Sequence, residues 1–158
     1  MKKFSFHLEA VLQHRKLQED TEQQKLTKIH LAIQQAQQLK EALKEVIADH
    51  RQMLAQQVKG KIDLDKVRHL TLYLEKVDQD IVQVSHVLSR LEEDKRIQLE
   101  KLKQAKKRTD VIEKLKDRSL NRYEREAKAM EQKLLDELSV TQYGQNGKQN
   151  LPIRKSNS

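Results

Sequence analysis

Six histidines, His7, His14, His30, His50, His69 and His86, are the first residues to weigh as metal ligands or acid–base groups. None of them falls at the four-residue spacing that sets two imidazoles on one helical face beside a glutamate, as zinc hydrolases require. No pair has a set of acidic co-ligands, and cysteine is absent, which removes thiolate centres and disulfide frameworks together. Gly60-Lys61 lacks the preceding glycine and the following Ser or Thr of a phosphate-cradling loop. No catalytic residue, metal site or cofactor is therefore expected, and the chain does not read as an enzyme.

The remaining chemistry is charge. Lys95, Arg96, Lys101, Lys103, Lys106, Lys107 and Arg108 form a basic cluster, answered by Glu92, Glu93, Asp94 and Glu100. Such a mixture is most often a solvated helical face. A basic-zipper reading would want a clean leucine seam directly after it, and the seam there is irregular. No aromatic residue lies within it for stacking bases. A reading as a helical arm that binds RNA rests on the net charge of +8 alone, so no nucleic-acid partner is expected. The cluster is better suited to meeting an acidic protein surface.

The elements that carry these residues are set by composition and period. Of 158 residues, 35% are charged and 3% aromatic, with no Trp and one Pro. That balance points to long helices and coiled coil rather than a large compact core. The apolar residues Leu70, Leu74, Val77, Ile81, Val84, Leu88 and Leu91 alternate four and three apart. This period of 3.5 keeps one narrow seam facing a partner helix. An earlier stripe comprises Leu8, Val11, Leu12, Leu26, Ile29, Ala32, Ile33, Ala36, Leu39, Leu43, Val46, Ile47, Met53 and Leu54, with His50 as a polar, register-setting member. Between the two stripes, Gly60 is a helix-stop signal and Asp63 suits the N-cap of a second helix.

The expected fold is all-α: an antiparallel coiled-coil hairpin of two long helices, the second longer, with a disordered C-terminal tail. The segments are a lead-in over 1–7, a first helix over 8–57, a turn over 58–63, a second helix over 64–138 and the tail over 139–158. The helices would be roughly 75 and 110 Å long at 1.5 Å per residue. A turn centred on Gly60 and Lys61 sets residue i opposite a residue near 121 − i. Ile47 then meets Leu74, Ala36 meets Val84, and Ile33 meets Leu88. Both stripes fade at matching distances, over 15–25 and 96–106, where Glu19, Asp20 and Glu22 should lie near Lys101, Lys103 and Lys106. Beyond residue 113 the second helix outruns the first. Its stripe of Leu115, Leu120, Tyr123, Ala127, Met130, Leu134 and Leu138 is expected to lack an intramolecular partner, the mark of a binding surface. No run of about 18 apolar residues occurs, so no membrane insertion is expected. The start has no apolar run of signal-peptide length, and a cytoplasmic protein is the default.

The opening Phe4-x-Phe6-x-Leu8-x-x-Val11-Leu12-x-x-Arg15-x-x-x-Glu19 resembles the N-terminal signature of the flagellar export protein family FliJ. The segment Leu70-x-x-Tyr73-Leu74-Glu75-Lys76-Val77, the single break near residue 60 and the basic polar tail are similar to that family as well. The resemblance covers about residues 4–138. It implies a coiled coil similar to the central stalk of rotary ATPases, which couples ATP hydrolysis to secretion of flagellar subunits. The implied partners are a hexameric flagellar export ATPase, an export gate membrane protein and export chaperones. The implied location is the cytoplasm, at the inner face of the cell membrane through the export apparatus. Carried over by position, Phe6, Leu8, Val11, Leu12, Arg15, Tyr123, Met130 and Leu134 would bind at the ATPase end. Leu70, Leu74, Val77 and Ile81 would bind at the gate end, although they coincide with the seam. A generic coiled-coil scaffold or adaptor is the competing reading.

Overall fold

A computed structural model describes residues 3–149. Two helices account for nearly all of them, α1 (Glu9–Val58) and α2 (Leu64–Gln149), and no strand occurs among the described residues. The expected hairpin class is the observed one. Helix formers without an internal proline explain the length of both elements.

The join between the helices is made by a side chain more than by the glycine. Asp63 caps α2: its Oδ1 accepts from Asp65 N at 3.2 Å and Lys66 N at 3.4 Å. Its main-chain oxygen accepts the first helical bond, from Val67 N at 3.1 Å. Helix α1 closes with a short bond from Lys59 N to Gln56 O at 3.2 Å. Gly60 does not adopt the left-handed conformation of a glycine cap, and a Cβ there would meet nothing within 4 Å. Its position marks the turn, but the turn does not require it.

Helix α2 also continues past Leu138 to Gln149, where composition suggests a tail. The hydroxyls explain how polar residues remain helical there. Ser139 Oγ donates to Leu135 O at 2.8 Å and Thr141 Oγ1 to Glu137 O at 2.7 Å, bonding back onto the preceding turn rather than capping it. Residues 150–158 of the expected tail lie outside the described residues.

The chain divides into two compact units, one of residues 14–109 and one of residues 1–13 with 110–158. The first contains the turn and is an antiparallel pair. Ile47, Leu74 and Val77 are its buried core, with Leu43, Val46, Leu54 and Ile81 packed around them. Burying a side chain such as Val77, only 3% exposed, contributes about 1.5–3 kcal/mol.

Sheltered positions recur along this pair without interruption, alternately three and four residues apart. On α1 they run Arg15, Glu19, Glu22, Leu26, Ile29, Ile33, Ala36, Lys40, Leu43, Ile47, His50 and Leu54. On α2 they run Val67, Leu70, Leu74, Val77, Ile81, Val84, Leu88, Leu91, Lys95, Gln98, Leu102, Ala105 and Thr109. Two expectations change. Lys40 sits on the seam and Leu39 is exposed beside it, because the strict heptad from Ile33 and Ala36 arrives at position 40. The zone where the stripes fade is not a gap either. The seam continues there, occupied by polar side chains.

In the second unit, the residues before α1 pack on the later part of α2. Phe4 lies against Tyr123 with ring centroids 5.5 Å apart. Phe6 and Leu12 are buried. Phe6 O accepts from Glu9 N at 3.1 Å to start the helix, and Glu9 pairs with Lys116 at 2.8 Å.

Candidate partner-binding surfaces

Three places on the chain have side chains arranged to meet something else. The first is the end of α2. Every residue over 128–143 is exposed, and this stretch carries Met130 at 56% and Leu134 at 60% exposure, with Leu135 and Leu138 equally open. Met130, Leu134 and Leu138 fall four residues apart on one helical face. Apolar side chains held in water on a regular helix form a surface that a partner groove can take up by its anchors. The stripe is not bare from its start. Tyr123 is half-buried because Phe4 covers it, so the lead-in supplies an intramolecular partner at that position.

The other members proposed for this end divide by exposure. Phe6 and Leu12 are buried and Leu8 half-buried, which makes them packing residues of the unit, while Val11 is exposed. Arg15 belongs to the other unit and is half-buried, its Nη1 donating to Gln18 Oε1 at 3.1 Å.

The second place lies beside the turn. Leu74 and Val77 are buried in the core, and Leu70 and Ile81 are half-buried around it. As long as the pair stays closed, Leu74 and Val77 are withdrawn from any partner. What the surface offers instead is a groove of about 520 Å³ lined by His50, Met53, Gln57, Lys66, His69, Leu70 and Tyr73. His50 and Tyr73 meet across the two helices as tilted rings with centroids 4.8 Å apart. A carbonyl oxygen can only accept, so His50 Nδ1 donates to Val46 O at 2.8 Å and His69 Nδ1 to Asp65 O at 2.7 Å. Each ring is thereby fixed by its own helix. His50 is a seam residue as expected, and it also forms part of a surface. Met53 belongs to the apolar stripe of α1 expected from the sequence, whereas His69 and Tyr73 are not part of either stripe. Within that stripe Met53 closes a row of Ala32, Leu39, Val46 and Met53 that repeats every seven residues on the flank of α1.

The third place is the polar part of the seam. Gln98, 6% exposed, reaches across from α2, its Nε2 donating to Glu22 O at 3.0 Å and also to the Glu22 carboxylate. Lys25 joins the same carboxylate at 2.8 Å. These hydrogen bonds, first Lys25 and then Gln98, hold the Glu22 carboxyl below its ordinary pKa, with the charge of Lys101 assisting. Lys101 is the member of the expected cross-helix set whose charge acts on Glu22. The close ion pairs here run along single helices, as in Arg96 with Glu93 at 2.6 Å and Lys25 with Glu22 at 2.8 Å. That pairing is also why the Glu93 carboxyl is held down and the Arg96 guanidinium up.

Among the described residues no cluster of three or more His, Cys, Asp or Glu side chains could hold a metal ion. No described helix is long and apolar enough to cross a membrane. The family model of the flagellar FliJ protein matches residues 4–148. The chain belongs to the flagellar FliJ protein family. Members of this family are components of flagellar protein export rather than catalysts, and the match spans both helices and both units. No curated protein and no solved structure matches the chain.

Proposed function

We propose that the chain is a non-enzymatic, stalk-like coupling component of flagellar export that binds the hexameric export ATPase at one end and the membrane export gate at the other. The exposed stripe of Met130, Leu134, Leu135 and Leu138 supports the first contact and is the observation that carries the reading. In this reading Phe6, Leu8, Leu12 and Tyr123 pack the unit that carries the stripe rather than touch the ring, and Val11 and Arg15 are further candidate contacts for the ATPase. Gate binding is assigned to the flank beside the turn, through Met53, Tyr73 and His69, with Leu70 and Ile81 at its edge and Leu74 and Val77 supporting it from beneath. Export chaperones are further ligands of the open apolar stripe. The protein works in the cytoplasm, held at the inner face of the membrane by the apparatus and not by insertion.

The exposed leucines allow a clean test, because changing them costs no packing. Leu134→Asp and Met130→Asp are expected to leave the circular dichroism spectrum unchanged and to abolish capture of the export ATPase in a pull-down. Truncation after Leu115 is expected to do the same while residues 14–109 stay folded. Full ATPase binding by the Asp variants removes that end from the assignment. Binding to no export component, with normal motility when the gene is deleted, returns the chain to a generic scaffold.

A further inference from the structure

The basic cluster is not absorbed by either end, and the structure sorts it. Of its seven cations, Lys101 and Arg108 line a hollow of about 290 Å³ on one flank of the polar seam, with Gln18, Thr21, Glu22, Gln104 and Ala105. The small Ala105 at a seam position leaves the space open. Among the described residues Arg108 has no ion-pair or hydrogen-bond partner, and Lys101 has only the charge of Glu22 acting on it. The Glu22 carboxylate is already held by Lys25 and Gln98. Gln18 Oε1 accepts from Arg15, which leaves its amide hydrogens to donate. An unpaired guanidinium, an ammonium with no close ion pair and neutral donors therefore surround one open space, with the Glu22 carboxylate at its wall already engaged.

We propose that this hollow binds an acidic segment of a partner protein, taking one carboxylate at Arg108 and a second at Lys101. The guanidinium fork matches the two oxygens of a carboxylate, and the ammonium serves as a point charge. Residues seven apart on α2 are separated by about 10.5 Å along the helix, the spacing of acidic residues seven apart on a docking helix. A phosphate polymer fits less well. The ionised Glu22 lines the same space and repels a doubly charged group more than a single carboxylate. No aromatic side chain lines the hollow for a base to stack on. This site is independent of the ATPase and gate assignments.

The test uses the full chain and a fluorescent helical peptide with Glu at positions i and i+7, against the same peptide with Gln. Single-stranded RNA and polyphosphate serve as competing probes. Arg108→Gln and Lys101→Gln are each expected to weaken the acidic peptide about tenfold, as loss of a charge-assisted contact does. Lys103→Gln and Lys107→Gln, whose side chains lie outside the hollow, are expected to change it less than about twofold. Shifts in the amide resonances of Gln18, Thr21 and Gln104 on adding peptide place it in the hollow. Equal losses at Lys103 or Lys107, no preference for Glu over Gln, or tighter binding of RNA or polyphosphate at these residues would each overturn the proposal.

Discussion

Two stretches of the same antiparallel pair keep one heptad period and fill it in opposite ways. Near the turn the seam holds Ile47, Leu74 and Val77 in an apolar cluster. Farther along, Glu22 and Gln98 occupy equivalent positions and are joined by hydrogen bonds. Apolar burial is strong and tolerant of partner, whereas a buried amide reaching a specific carbonyl is weak in net energy and exacting in geometry. The first stretch holds the helices together and the second fixes which residues face each other. A single buried polar residue plays that register-setting part in other coiled coils, at a cost in stability.

The largest effects are expected where the seam is apolar. Ile47→Ala is expected to cost about 2–4 kcal/mol, because it removes packed atoms and leaves a void between two helices that can only partly close. Thermal unfolding followed by circular dichroism measures it, and a loss below that of any polar-seam variant would reverse the comparison. Gln98→Ala is expected to cost about 1 kcal/mol through the loss of bonds to Glu22. Gln98→Leu sharpens the contrast: the melting temperature rises, while doubled amide resonances near Leu26 and Lys95 report pairing in more than one register.

The polar seam has a pH signature that the apolar one lacks. The folded-state pKa of Glu22 lies below its ordinary value near 4.5. Its contribution is therefore present above that value and disappears as pH falls through the lower folded value. Wild type is expected to lose more stability than Glu22→Gln between about pH 6 and about pH 3. Identical acid profiles would show that the carboxylate contributes nothing to the seam. The smallest effect belongs to the turn. Gly60→Ala is expected to be neutral or to stabilise by about 0.4–1 kcal/mol, since the site has space and no left-handed backbone.

Periodicity makes the hairpin, its turn and its core legible, since Leu74 and Val77 need a neighbour and a mirror about residue 60 supplies Ile47. The mirror at 121 − i comes within one residue of the Glu22–Gln98 contact. Period alone misses the positions where polar side chains take the place of apolar ones. Lys40 and Gln98 belong to the seam by register, yet their types read as surface. Residues 139–149 read as a tail for a related reason: Ser and Thr in a helix bond back to their own turn, and composition does not distinguish the two. At the candidate surfaces, Met130 and Leu134 are exposed as the unpartnered stripe suggests. Tyr123 is not bare, because aromatic contact with Phe4 joins residues far apart in the chain. In the groove beside the turn, Met53 is legible as a stripe residue, while His69 and Tyr73 lie off the seam, where a search confined to apolar period does not look.

Hydrogen exchange on the full chain, alone and with the assembled export ATPase, bears most directly on the idea of a closed helical pair whose partner surface lies elsewhere. Amides over 43–54 and 70–81 should be the slowest in the free protein and unchanged in the complex. Those over 128–143 should exchange quickly alone and slow markedly when the ATPase is added. Protection that appears instead over 43–54 and 70–81, with 128–143 left unaltered, would contradict the account.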